Sequence, residues 1–129
     1  MKLKVLVSAA FITAAAFANA KNIAEVVSAG EREQALVMLE TGTEVNAPLL
    51  DGSTALLYAA YLDDAALVAA LLDASANPDV RNEYGAFALS EAAQNGNSTI
   101  VKLLLEHGAD ANLGNAEGET ALMVAARSG

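Results

Sequence analysis

Few residues of this 129-residue chain could carry covalent or metal chemistry, and the spacing argues against each of them. There is one histidine, His107, set in Leu105-Glu106-His107-Gly108, and there is no cysteine. An imidazole that works as general base or metal ligand needs partners, and neither a second histidine nor a thiolate is present to supply them. His107 instead suits a helix C-terminus, where the ring can meet unpaired carbonyls. Ser53, Ser90 and Ser98 lie outside any Gly-x-Ser-x-Gly setting and have no obvious base, so a hydroxyl nucleophile is unsupported. Asp110, Asn112, Asn115, Glu117 and Glu119 could form an acidic loop for calcium. A calcium-binding loop of the helix–loop–helix type requires Gly at its sixth position and Glu at its twelfth. Counted from Asp110, those places hold Asn115 and Ala121. The glycines lack the following Lys of a phosphate loop. The expectation is a protein without catalytic residues, cofactor or metal.

The glycines answer to a different rule. Gly52-Ser53-Thr54-Ala55-Leu56, Gly85-Ala86-Phe87-Ala88-Leu89 and Gly118-Glu119-Thr120-Ala121-Leu122 follow one another at intervals of 33 residues. Each leads to an alanine pair: Ala59-Ala60, Ala92-Ala93 and Ala125-Ala126. A fixed period of this length marks a stacked solenoid, in which no unit can bury its own apolar face. Hydrophobic periodicity predicts seven short helices, near 22–29, 33–41, 54–61, 65–73, 87–94, 98–106 and 120–127. Close-set apolar residues such as Leu67, Val68, Leu71 and Leu72, or Ile100, Val101, Leu103, Leu104 and Leu105, mark the second helix of a pair as core-forming. Gly30, Asp63 and Gly96 fall at the turn within each pair, where positive φ is least costly for Gly and tolerated by Asp. Pro48 and Pro78 fall between units, where a missing donor does little harm.

The pattern resembles the ankyrin repeat. The third unit carries it best, with Gly85, Leu89, Ala92-Ala93, Gly96, Ile100-Val101, Leu103-Leu104-Leu105 and Gly108-Ala109-Asp110-Ala111-Asn112. The unit before reads Gly52, Leu56, Ala59-Ala60, Asp63, Leu67-Val68, Leu71-Leu72 and Ser75-Ala76-Asn77-Pro78-Asp79. A degenerate first unit keeps Gly30, Leu36-Val37, Leu39, Gly42 and Asn46. The resemblance covers roughly residues 22–129 and implies an all-α solenoid of helix-turn-helix units joined by β-hairpin loops, about three and a half repeats long. The units would run 21–48, 49–81, 82–114 and an incomplete 115–129. One departure recurs: the family's Pro-Leu-His becomes Ala-Leu-Leu, Ala-Leu-Ser and Ala-Leu-Met. The resemblance implies that a side-chain hydrogen bond stiffening the turn is lost with it.

Ahead of the repeats, Met1-Lys2-Leu3-Lys4 gives a basic start and Val5 to Phe17 an apolar run broken by Ser8 and Thr13. Ala18-Asn19-Ala20 then has the small-x-small form of a signal-peptidase site, and the apolar run is shorter than the ~20 residues a membrane span needs. The expectation is a cleaved signal over 1–20 and a mature domain over 21–129, exported and resident in a bacterial periplasm. The whole chain has 7 basic and 16 acidic residues, a net charge of −9. Loss of Lys2 and Lys4 leaves 5 against 16, or −11. Such a surface repels phosphate backbones and anionic lipid, which excludes nucleic acid and stable membrane insertion as expected partners. The absence of cysteine suits an oxidising compartment. Gly129 lies 33 residues after Gly96, where a further second helix would begin. A fragment of a longer array is the expected reason; a half-repeat cap, or a partner covering the edge, are the others.

What remains for function is surface. Family members bind through hairpin tips and the exposed side of each first helix. By register that surface holds Leu50, Asp51, Ser53, Tyr61 and Leu62, then Ala74, Arg81, Glu83, Tyr84 and Ala86. It continues with Gln94, Asn95 and His107 to Glu117, Glu119 and Arg127. Leu50, Tyr61, Leu62 and Tyr84 are large and apolar where a solvated scaffold would prefer polar residues, and tyrosine gives wide contact at low entropy cost. The expected function is a secreted, non-enzymatic module that binds a protein through its concave face. Tyr61, Leu62 and Tyr84 would anchor the partner, with Asp51, Glu83 and Glu117 selecting a basic rim. An exported enzyme is the first candidate partner. The alternative is an assembly element that associates with itself through its C-terminal edge.

Overall fold

The computed structural model describes residues 21–128, so the segment expected to be a signal, 1–20, and Gly129 lie outside the described residues. Seven helices follow one another: α1 (Ile23–Ser28), α2 (Arg32–Glu40), α3 (Ala55–Tyr61), α4 (Ala65–Asp73), α5 (Ala88–Gln94), α6 (Ser98–Glu106) and α7 (Ala121–Ser128). They pair as antiparallel hairpins, α1 with α2, α3 with α4 and α5 with α6. The pairs stack so that α1, α3, α5 and α7 form one row and α2, α4 and α6 a second.

Local chemistry sets the helix bounds. Asn22, Asp64 and Asn97 occupy N-caps, and their side-chain oxygens accept from Glu25 N at 2.9 Å, Leu67 N at 3.0 Å and Ile100 N at 3.1 Å. Each cap satisfies a donor that the first turn leaves unpaired. Asp64 does a second job: Arg32 Nε donates to its Oδ2 at 2.7 Å, tying α2 to the start of α4. That bond, with the carboxylate's charge, raises the Arg32 pKa further above its ordinary value. After α1, α3 and α5 the chain turns through Gly30, Asp63 and Gly96 at φ 80°, 59° and 70°. The flanking amides close Schellman bonds, for instance Asp64 N to Ala59 O at 3.0 Å and Asn97 N to Ala92 O at 2.9 Å.

The second helices end the same way at Gly42, Ser75 and Gly108. Ser75 adopts φ 70° where its two register mates are glycines, and it is exposed. A side chain in the left-handed region carries a penalty of about 1–2 kcal/mol, partly offset because Gly makes the unfolded chain looser. Ser75→Gly is therefore expected to raise the melting midpoint by roughly 4 °C, read by circular dichroism. An unchanged or lower midpoint would mean that the serine is unstrained.

The predicted hairpin loops close as turns, and no strand forms among the described residues. In each, a four-residue turn ends in a left-handed glycine: Gly52 N donates to Leu49 O at 2.9 Å, and Leu49 N donates to Ser53 O at 2.8 Å. Asn82 to Ala86 and Asn115 to Glu119 repeat the pair of bonds. One such pair is too short for a ladder; it is the bulged form of a tight hairpin. Asn82 and Asn115 stiffen their turns from inside. Asn82 Oδ1 accepts from Tyr84 N and Ala86 N at 3.0 and 2.9 Å, and Asn115 Oδ1 accepts from Glu117 N and Glu119 N at 3.0 and 2.8 Å. Leu49 stands at the same place in the first hairpin and offers no oxygen, so Asp51 Oδ1 accepts from Ser53 N instead, at 2.9 Å.

The core is a continuous stripe between the rows. Ile23, Val26 and Val27 open it; Leu56, Leu67, Val68 and Leu71 fill its middle; Phe87, Ile100 and Leu104 continue it. Each such side chain stabilises the stack by about 1.5–3 kcal/mol on leaving water. The buried alanines Ala59, Ala60, Ala92 and Ala93 let first helices pack closely. Further bonds cross between repeats at the same register, Asn77 N to Asn46 Oδ1 at 2.7 Å and Asp110 N to Asp79 Oδ1 at 2.8 Å. The expected loss of a turn-stiffening side chain needs correction in the third unit. Phe87 replaces the capping threonine found at Thr54 and Thr120, and Ser90, one turn on, takes over the polar role. Its Oγ accepts from Phe87 N at 3.2 Å and donates to Phe87 O at 2.7 Å.

Candidate partner-binding surface

On a helix, residues three apart share a face. In the first-helix row, one line of residues one period apart reads Glu25, Tyr58, Glu91 and Val124, and the line one turn later reads Ser28, Tyr61, Gln94 and Arg127. The buried pairs Ala59-Ala60 and Ala92-Ala93 run between them in α3 and α5; Ser28, Tyr61, Gln94 and Arg127 are exposed, whereas Tyr58 and Glu91 are half-buried and Val124 is buried. The hairpin tips beside them present Leu50-Asp51, Glu83-Tyr84 and Ala116-Glu117, again one period apart. Tips and first helices meet along a face with two adjoining hollows.

The first hollow, of about 310 Å³, is lined by Asp51, Ser53, Leu57, Tyr58, Tyr61, Asn82, Ala86 and Glu91. The second, of about 200 Å³, is lined by Tyr84, Gln94, Glu117, Asn115, Val124 and Arg127, among others, and shares Ala86 and Glu91 with the first. Glu91 thus sits on the saddle between them. It is half-buried, and its carboxylate makes no hydrogen bond or ion pair among the described residues; burial pushes that carboxyl above its ordinary pKa. Tyr84 is 69% exposed. The Glu83 carboxylate, by hydrogen bonding and then by charge, raises the Tyr84 phenol above its ordinary pKa, with smaller contributions from partial desolvation and Asp51.

Of the residues expected at a partner surface, Asp51 and Tyr61 meet in the first hollow, and Tyr84, Gln94 and Glu117 in the second. Leu50 and Glu83 stand at fully exposed tips outside the hollows, and Leu62 at the end of α3. Asn95 is exposed, but its amide is bound to the scaffold: Nδ2 donates to Tyr61 O at 3.2 Å and to Asp63 Oδ1 at 3.3 Å. Ser53 is buried and accepts from Asn82 Nδ2 at 3.1 Å. Glu119 and Arg127 pair with each other at 3.1 Å. His107 caps α6 on the second-helix row, with Nδ1 2.9 Å from Leu103 O and Nε2 3.5 Å from Asp73 Oδ1. Tyr58 and Glu91 were not singled out from the sequence. Their signal was present: each lies one helical turn before Tyr61 and Gln94, and they are one period apart.

A separate apolar hollow of about 370 Å³ opens between α5, α6 and α7, lined mainly by Leu89, Ala93, Val101, Leu105, Leu122 and Ala125. Leu105 is 44% exposed and Leu122 79%, against 4% and 3% for Leu72 and Leu89, their counterparts one repeat earlier. No three His, Cys, Asp or Glu side chains among the described residues are grouped to hold a metal ion. No helix among them is long and apolar enough to cross a membrane.

A family model described as ankyrin repeats, three copies, matches residues 56–129. The match leaves out the degenerate first unit, whose helices nevertheless stack in the same two rows as the rest. Ankyrin repeats are in general modules of protein–protein interaction, and repeats of this kind are typically non-enzymatic. With helix pairs, turns and hairpins all returning at the 33-residue period and the match running over more than half of the sequence, the chain belongs to the ankyrin-repeat family.

Proposed function

We propose that the protein is an exported, non-enzymatic binding module that recognises a protein partner with its hairpin tips and first-helix face. The observation that carries this reading is the pairing of exposed tyrosines with an anchored backbone. Tyr61 is 59% exposed, yet its carbonyl is held by Asn95, and the amide of Tyr84 is held by Asn82. Side chains presented from so fixed a backbone lose little ordering entropy on docking. The acidic balance favours a partner with a basic surface and disfavours nucleic acid and anionic lipid. The basic start, apolar run and small-x-small end of residues 1–20 support export to a bacterial periplasm, where an exported enzyme is the first partner to seek.

The test is affinity capture from a periplasmic extract, with the purified protein as bait beside a Tyr61→Ala, Leu62→Ala, Tyr84→Ala variant of matched melting behaviour. A protein retained by the first bait is expected to be reduced at least about tenfold on the second, since buried tyrosine anchors commonly contribute 1–2 kcal/mol or more each. Equal retention on both baits would remove this face as the recognition site. A second reading, self-association, is favoured by the apolar hollow between α5, α6 and α7. A bait that retains only further copies of itself, equally in both forms, would move the function there.

A further inference from the structure

The first hollow has a composition that the general need for a binding face does not require. Two phenol rings, Tyr58 and Tyr61, rise one turn apart from α3; Leu57 contributes an apolar wall; Asp51 and Glu91 bring carboxylates from the hairpin and from α5. Sixteen acidic residues against seven basic ones leave few cations to neutralise them, and the basic side chains among the described residues lie elsewhere. Lys21 pairs with Glu31 at 3.3 Å, Arg32 with Asp64 at 2.7 Å and Arg127 with Glu119 at 3.1 Å, while Arg81 donates to Gly114 O at 2.7 Å. Lys102 lies on α6 in the other row. Among the described residues, no basic side chain lines the hollow.

We propose that this hollow is a socket for an arginine side chain of the partner, its guanidinium set against Tyr58 and Tyr61 and paired with Glu91 and Asp51. The proposal rests on the reading that this face is the recognition surface, and it names what that surface takes. A half-buried carboxylate without a partner is unfavourable, and an entering cation relieves it. Aromatic faces attract cations, and the attraction grows as water is excluded. A guanidinium fits better than an ammonium because it is planar, stacks on rings, presents donors to two carboxylates at once, and is more weakly hydrated beside an apolar wall such as Leu57.

The experiment is an amide NMR titration of the purified protein with N-acetyl-Gly-Arg-Gly-amide. Shifts are expected to concentrate at Asp51, Tyr58, Tyr61 and Glu91, with a dissociation constant on the order of millimolar, as befits one side chain. The citrulline tripeptide, equal in shape but uncharged, is expected to bind at least about tenfold more weakly, the usual scale of a charge-assisted bond. Glu91→Gln should cause a similar loss without lowering the melting midpoint, because it removes a charge that is unpaired in the free protein. Glu106→Gln, exposed on α6 in the other row and away from both hollows of this face, should leave binding unchanged. The proposal is overturned if the shifts spread over the acidic surface at large, if citrulline binds as well, or if Glu91→Gln keeps full affinity. A lysine tripeptide that binds as tightly as the arginine one overturns it too. Any of these results beside a successful capture refutes the socket alone; loss of the tyrosine-dependent capture refutes the recognition face itself.

Discussion

Phe87→Ala is expected to remove about 3–5 kcal/mol of stability, the range for deleting a buried aromatic ring. That is a large share of the roughly 5–15 kcal/mol that holds a domain of this size together. Phe87 is the bulkiest of the fully buried side chains, and it stands between the second and third repeats where its register mates are Thr54 and Thr120. Those threonines cap α3 and α7, whereas Phe87 contributes packing and leaves the polar work to Ser90. In a solenoid each unit is stabilised by its neighbours, so a cavity at one junction uncouples the halves. Urea unfolding should therefore move to a lower midpoint and lose steepness as two-state behaviour fails. Phe87→Thr sharpens the test. It leaves a similar void but returns a capping hydroxyl, and should recover about 1 kcal/mol relative to alanine. A threonine variant as stable as the parent would show that the ring does not hold the junction.

Gly85→Ala is the second large effect, and it has an internal control. Gly85 has φ 81°, and a Cβ there would lie 2.8 Å from Ala116 Cβ and 2.9 Å from Ala116 Cα, crowding the backbone of the next hairpin. Gly118 has φ 80° and would meet nothing within 4 Å. Gly118→Ala should thus lose only the left-handed penalty of about 1–2 kcal/mol. Gly85→Ala should lose that plus about 1–3 kcal/mol of overpacking, because backbone cannot swing aside as a side chain can. Gly52→Ala, with Asn82 Cα at 3.4 Å, should fall between the two. Chemical denaturation of the three variants gives the order directly; equal losses would mean that the hairpins do not need their close approach. Relief of the clash must displace the Ala116-Glu117 tip, so the Gly85 variant should also bind partner more weakly than its stability alone explains.

The period made most of this architecture readable in advance. Every helix lies within one residue of its expected bounds at each end, because helix starts and stops are written in short-range chemistry such as the caps at Asp64 and Asn97. The left-handed turn at Asp63 was legible for the same reason. Ser75 was not, since nothing in a serine announces positive φ; only its register with Gly42 and Gly108 does. The surface was legible as a set of tips and first-helix positions but not as a site. Asn95 and Ser53 look like contact residues in sequence, and the fold uses both to join repeats. Whether a polar side chain turns to a neighbour or to solvent depends on distances between units, which a linear pattern does not contain. Tyr58 and Glu91 escaped for the complementary reason: α3 and α5 bring them to one hollow although 33 residues separate them.

The alternation along the first helices also bears on how such a protein changes over evolutionary time. Ala59 and Ala60 are locked between repeats, yet Tyr58 and Tyr61 on either side of them line the first hollow; Ala92 and Ala93 lie in the same way between Glu91 and Gln94, which line the second. Mutation can therefore rewrite what the face recognises while the alanines that set the spacing stay as they are. Inheritance of the scaffold and drift of the specificity are uncoupled within a single turn of helix, so a lineage can exchange one partner for another without passing through an unfolded ancestor.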